Sequence, residues 1–170
     1  CDDRLTKEAL SVYQRPDVRL IKERKIQAVF LGHYFPWDPE KSRRIAQENG
    51  FELRIEGAKT GYYDYADIDD DFISIHHWLK WYKFGFTRLF DNLSLEIRNG
   101  RMDRTNALEI LRSIGADKPE ADIDEFCNYT GLSSAAFDAV CERFRNRDIW
   151  RREDDIWKIS NFILCDWDWS

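Results

Sequence analysis

Between residues 65 and 101 the chain reads YADIDDDFISIHHWLKWYKFGFTRLFDNLSLEIRNGR, which sets ionisable groups against large aromatics more densely than a plain core helix needs. Wound as one α-helix from 74 to 98 at about 100° per residue, it gathers His76, Lys80, Lys83, Thr87, Asp91, Ser94 and Arg98 into a stripe about 80° wide. Most of the remainder is apolar, including Trp78, Leu79, Tyr82, Phe84, Leu89, Leu93 and Ile97. A surface helix is polar over about half its circumference, so a helix this apolar predicts burial, with the thin ionisable seam turned to a wet cleft or a partner. The competing reading has Lys80, Lys83 and Arg98 reaching solvent while their stems cover the rings.

At 170 residues with 43% hydrophobic and 15% aromatic content, the chain is long enough to bury a core. The net charge of −6 and the absence of a long basic run argue against nucleic acid as a partner. No apolar run approaches the length needed to span a bilayer, and no signal peptide opens the chain, so no membrane role and a cytoplasmic location are expected. Cys1, Cys127, Cys141 and Cys165 form no C-x-x-C pair, which predicts buried thiols in a reducing compartment and no metal site. A start at Cys1, with Met102 the only methionine, suggests a piece of a longer protein.

Along the chain, a short helix is expected to end at Tyr13, having begun at Leu5, with Arg15-Pro16 breaking it. Residues 27–32, QAVFLG, read as a buried strand. A helix follows with Asp38 as cap, Pro39 at its first position and Gly50 at its end, and residues 51–55 read as a second strand. Strand, helix and strand in that order suggest a partial parallel sheet. Residues 57–71 read as a loop, after which the chain is helical: Asp103 caps a helix ended by Gly115, and residues 122–129 and 133–145 form a pair around Gly131. In the second of these, Phe137, Val140, Cys141 and Phe144 are expected to be the buried stripe. The tail, with Trp150, Trp157, Trp167 and Trp169, should dock on the body, partly as a strand at 157–163. The expected fold is therefore an α/β remnant, residues 1–60, followed by a mainly α-helical part with an aromatic tail, residues 61–170.

Asp64, Asp67, Asp69, Asp70 and Asp71 crowd one loop, where a cation, the basic side chains of the seam or water must answer them. His76 and His77 are adjacent and point about 100° apart, so they cannot serve one ligand from the same face. His76 lies on the seam and is expected to face the cleft, leaving His77 structural. Lys80, Lys83, Arg88, Arg98 and Arg101 suit a diphosphate or carboxylate, or alternatively the acidic loop itself. Gly57-Ala58-Lys59-Thr60-Gly61 is too weak a match for a phosphate loop.

The segments FLGHYFPWDPEKSRRIA, EGAKTGYYDYADIDDDFISIHHWLKWYKFGFTRLFDNLSLEIRNGRM and FRNRDIW resemble the C-terminal half of the N-acetyl sugar amidotransferases of surface-polysaccharide and flagellin-sugar biosynthesis. These are the enzymes of lipopolysaccharide O-antigen and pseudaminic acid pathways, within the PP-loop ATP pyrophosphatase superfamily. The resemblance implies ATP-dependent conversion of a sugar acetamido group, free or nucleotide-linked, to an acetamidino group, with ATP and magnesium as cofactors of the intact enzyme. It also implies ammonia delivered by glutaminase and cyclase-like partner subunits. The Ser-Gly-Gly-x-Asp-Ser loop of such enzymes is absent here, so this chain alone is expected neither to turn over ATP nor to hold a cofactor tightly.

Within the resemblance, Asp69, His76 and Lys83 are assigned to catalysis. Asp67, Lys80, Arg88, Arg98, Arg101, Tyr63 and Trp81 are assigned to substrate binding, with Tyr62 as a further ring for stacking. The alternative is a non-catalytic helical module that binds a partner subunit or forms a homodimer.

Overall fold

The computed structural model describes residues 6–116 and 118–169. Two compact units result, one running to Trp37 and one beginning at Asp38.

In the first unit Asp17 accepts a hydrogen bond from Arg19 N and starts α1, Val18–Glu23, and single 3₁₀ turns occur at Ser11–Tyr13 and Leu31–His33. The helix anticipated before Pro16 is thus reduced to one turn, and its proposed start at Leu5 lies outside the described residues, as does Cys1. Residues 27–32 do not form the expected strand: Val29 is 63% and Phe30 89% exposed. A strand needs a neighbour to take its amides, and here the chain folds on itself instead, His33 N bonding Phe30 O and Tyr34 N bonding Leu31 O.

The second unit opens with α2, Pro39–Glu48, which has the predicted Asp38 cap and Pro39 at its start. Gly50, at φ 92°, turns the chain out of it. Residues 51–54 form no regular element and Ile55, in a turn, is almost fully exposed, so no parallel sheet forms among the described residues. The strands described are instead an antiparallel hairpin of β1, Trp150–Glu153, and β2, Ile156–Ile159, with Trp150 opposite Ile159. Its two-residue turn, Asp154-Asp155, has both residues at positive φ, the twist that a tight hairpin requires.

Helices make up the rest: α3, Ile73–Phe84; α4, Arg88–Arg98; α5, Arg104–Ile114; α6, Glu120–Thr130; and α7, Ser134–Arg143. Asp103 and Ser133 cap α5 and α7 as their positions predict. The single helix expected over 74–98 is two. Gly85 adopts a left-handed conformation at φ 71°, closes α3, and lets the chain turn before α4.

Two apolar clusters follow from this corner. Ile75 and Tyr82 of α3 pack with Ile123 and Cys127 of α6 and Phe137 and Cys141 of α7. Leu89 and Leu93 of α4 pack with Ala107 and Leu111 of α5 and with Leu164 from the tail. Val140 and Phe144 are exposed, so the buried stripe of α7 is narrower than its pattern suggests. Cys127 and Cys141 are buried free thiols as expected, whereas Cys165 is exposed on the tail. The aromatic tail docks: Trp81 touches Trp150, Phe162, Trp167 and Trp169, and Trp150 Nε1 donates to Tyr82 O at 3.1 Å. Among the described residues no helix is long and apolar enough to cross a membrane.

Candidate functional site

A cavity of about 250 Å³ opens between the loop at residues 58–61, the first half of α3, Thr87 and the end of α5. Ser74, His77 and Trp78 reach its wall from α3, Thr87 from the residue before α4, and Leu89 and Ile114 supply apolar surface. Three residues of this wall, His77, Trp78 and Thr87, each carry a polar atom (Nδ1, Nε1 and Oγ1) that is buried and has no hydrogen-bond partner among the described residues. Each such group costs about 1–3 kcal/mol if it stays unsatisfied, and all three belong to residues that line this one cavity. Thr87 precedes α4 in the N-cap position, yet its hydroxyl caps nothing.

The wall is electrically neutral where it matters. Burial pushes the His77 imidazole down to about 4, with Arg88, His76 and Lys80 acting in the same direction and Asp67 opposing. His77 is therefore uncharged at neutral pH, with one ring nitrogen able to accept and the other to donate. Lys59 also lines the cavity, but its ammonium bonds Asp71 O and lies 3.8 Å from Asp122 Oδ1, while the Ser74 hydroxyl donates to Asp122 Oδ2.

The residues singled out by the 74–98 pattern do not converge on one cleft, because the turn at Gly85 separates the stripes of α3 and α4. His76 is exposed, and its neighbour His77 takes the cavity wall. Asp69 is exposed in the loop. Lys80 pairs with Asp91 across the corner, its ammonium 4.9 Å from the Phe86 ring. Lys83 is exposed with its ammonium 4.8 Å from the Phe144 ring, and Arg98 is exposed with Nε 3.3 Å from Ser94 O. Asp67 and Arg88 form an ion pair at 3.3 Å beside His77, with Asp67 in a left-handed conformation at φ 57°.

Tyr63 and Arg101 meet elsewhere, around the buried Glu96. Arg101 Nε and Nη2 grip the two Glu96 oxygens at 2.7 and 2.8 Å, and its Nη1 reaches Asp38 Oδ1 at 2.8 Å. Tyr63 Oη donates to Glu96 Oε1 at 2.5 Å, and its ring stacks on Tyr65 at 4.9 Å. Tyr62 is exposed, its backbone N–H donating to the buried Asn92 Oδ1 at 3.0 Å. This cluster ties α2, the loop and α4 together.

A second cavity, about 810 Å³, is walled by the tail and the hairpin against α3 and α5. Trp81 belongs to it, with Tyr82, Trp150, Trp157, Trp167 and Trp169. Trp78, Gly115 and Ala116 line both cavities, so the two adjoin. The cavity residues missed by sequence reasoning carried faint signals. Thr87 sits in the predicted stripe, and Lys59 and Thr60 belong to the glycine-bounded loop dismissed as a phosphate cradle.

A family model described as LPS biosynthesis protein WbpG-like, C-terminal domain, matches residues 56–163, well over half of the chain. That span takes in the residues lining both cavities except Asp166, Trp167, Asp168 and Trp169 of the tail. No curated protein matches the chain.

Proposed function

This chain belongs to the WbpG-like C-terminal domain family of LPS biosynthesis proteins, and from that premise we propose that it holds the acetamido group of a sugar for ATP-dependent amidotransfer. The observation that carries the proposal is the 250 Å³ cavity whose lining residues His77, Trp78 and Thr87 each hold a buried polar atom without a partner among the described residues. A secondary amide offers one N–H donor, one carbonyl acceptor and a methyl group. The cavity answers each: a neutral His77 nitrogen to accept, Trp78 Nε1 and Thr87 Oγ1 to donate, and Leu89 with Ile114 for the methyl. Donors held in a site shielded from water polarise the carbonyl, and they cost no reorganisation when the amide is attacked.

Among the described residues no three His, Cys, Asp or Glu side chains gather as metal ligands. Within the acidic loop Asp67 pairs with Arg88 and Asp70 Oδ1 accepts from Phe72 N. Activation of the amide oxygen is therefore assigned to a separate domain or subunit, and ammonia delivery to glutaminase and cyclase-like subunits.

The test is an assembled complex containing this chain, given MgATP, isotopically labelled ammonium and UDP-N-acetylglucosamine as probe, with mass spectrometry of the sugar. Label incorporated as an amidine, and lost in Thr87→Val and His77→Gln, supports the reading. Absence of amidine from an otherwise active complex, or full activity in both variants, overturns it.

A further inference from the structure

We propose that the tryptophan-lined cavity is a second sugar-binding subsite, one that takes neutral pyranose rings continuing from the residue held in the small cavity. Its volume, about 810 Å³, lies within the range of about 300–1,000 Å³ typical of ligand pockets. Aromatic rings crowd its wall, and Trp78, Trp157, Trp167 and Trp169 are only half-buried. The C–H face of a pyranose packs on such rings, while its hydroxyls need planar, bidentate partners at the edge. Arg112 and Asp166 supply these: they pair at 3.0 Å on the rim, and both remain exposed.

The charge pattern selects among sugars. Arg112 is matched by Asp166, and Arg145 is held by Glu142 while its guanidinium lies 4.4 Å from the Tyr82 ring centre and 4.7 Å from that of Trp150. Asp155, on the same lining, pairs with Arg152 at 3.1 Å. A diphosphate would meet arginines already matched by carboxylates, whereas a hydroxylated ring meets donors and acceptors together in the Arg112–Asp166 pair. Trp78 joins the two cavities: it lines both, and its buried Nε1 donor has no acceptor among the described residues.

The inference rests on the proposed function for the identity of the sugar in the small cavity, but its test reads binding alone. The whole chain is titrated with N-acetylglucosamine, with its β-1,4-linked trisaccharide and with UDP, following tryptophan fluorescence and the indole N–H resonances. The trisaccharide is expected to bind at least about tenfold more tightly than the monosaccharide, the worth of one good aromatic contact. Arg112→Ala and Asp166→Ala should lower that ratio while leaving monosaccharide affinity unchanged. Thr87→Val should weaken both sugars equally and keep the ratio. UDP should leave the indole resonances in place.

A trisaccharide that binds no better than the monosaccharide, a ratio unaffected by the rim variants, or UDP competing with the trisaccharide would each overturn the subsite. In the first two outcomes monosaccharide binding and amidine formation would stand, so the two readings fail separately.

Discussion

Tyr63 Oη donates to Glu96 Oε1 at 2.5 Å, which joins a phenol of the loop and a carboxylate of α4 in one buried hydrogen bond. Burial and the adjacent Glu96 both raise the Tyr63 phenol, whereas Arg101 holds the Glu96 carboxyl below its ordinary value. A carboxylate whose folded pKa is depressed adds stability that is complete above its unfolded value and is lost as pH falls through the folded one. Urea midpoints should therefore drop as pH falls below 4.5, and Glu96→Gln should flatten that part of the curve. Arg101→Met strands the carboxylate and should cost about 2 kcal/mol at pH 7, at the low side for a buried pair because Arg101 is partly exposed.

His77 has the opposite chemistry and the same sign. Its folded pKa, about 4, lies below the unfolded 6.5, so between those values the unfolded chain binds the proton that the folded chain refuses. Stability therefore falls as pH drops from 6.5 toward 4, by at most about 3 kcal/mol. His77→Gln should remove this slope while leaving the steeper fall below 4.5, which separates the two groups in one set of denaturation curves.

Gly85 makes the corner between α3 and α4, and a Cβ there would lie 2.6 Å from Ile159 Cδ1 and 3.2 Å from Ile149 Cγ2, at a φ of 71°. Gly85→Ala combines strain with a clash against the hairpin and should cost about 1–3 kcal/mol, read as a lowered midpoint without a change of slope. Gly100→Ala meets no side chain and serves as the control for the φ term alone.

This corner also shows what the sequence could and could not reveal. Asp38, Asp103 and Ser133 cap their helices where local chemistry says they should, because a side-chain oxygen two or three residues from an amide acts without help from distant parts of the chain. Gly85 was hidden because the apolar period runs through it and an interior glycine costs only about 1 kcal/mol. The break is fixed by Ile149 and Ile159, more than sixty residues away in the chain. The choice between His76 and His77 was lost with it. Once Ile75 and Tyr82 face α6 and α7, His77 is turned inward beside Thr87 and His76 outward. The absent strands have a similar origin, since the run at 27–32 is apolar enough for a sheet but no ladder partner exists among the described residues. The Trp-rich tail was legible as docked because so many large rings cannot be left in water, yet the cavity it encloses depends on the hairpin register.

Leu164 is 2% exposed and inserts from the tail between α4 and α5. Leu164→Ala should cost about 2–5 kcal/mol. It should also loosen the wall of the larger cavity, which Phe162, Trp167 and Trp169 hold together by ring contacts at 5.1–6.5 Å. Faster exchange of the indole N–H protons of Trp167 and Trp169, with the α3–α6–α7 cluster still protected, is the expected signature. Uniform loss of protection would mean that the tail is not a separable clasp.

Thr87 separates a ligand site from a structural one. Its hydroxyl is buried, caps no helix and bonds nothing among the described residues, so replacing it by the near-isosteric valine removes a polar group that the described fold does not use. A structural threonine in an N-cap position would lose about 1 kcal/mol on losing its oxygen. Thr87→Val should instead leave the urea midpoint unchanged or raise it, while weakening N-acetylglucosamine binding about tenfold, the loss expected for one hydrogen bond to a ligand in a water-poor cavity. Thr87→Ser keeps the donor and should retain most of the affinity. A variant that loses stability and affinity together would identify Thr87 as scaffold, whereas loss of affinity alone assigns its hydroxyl to the guest.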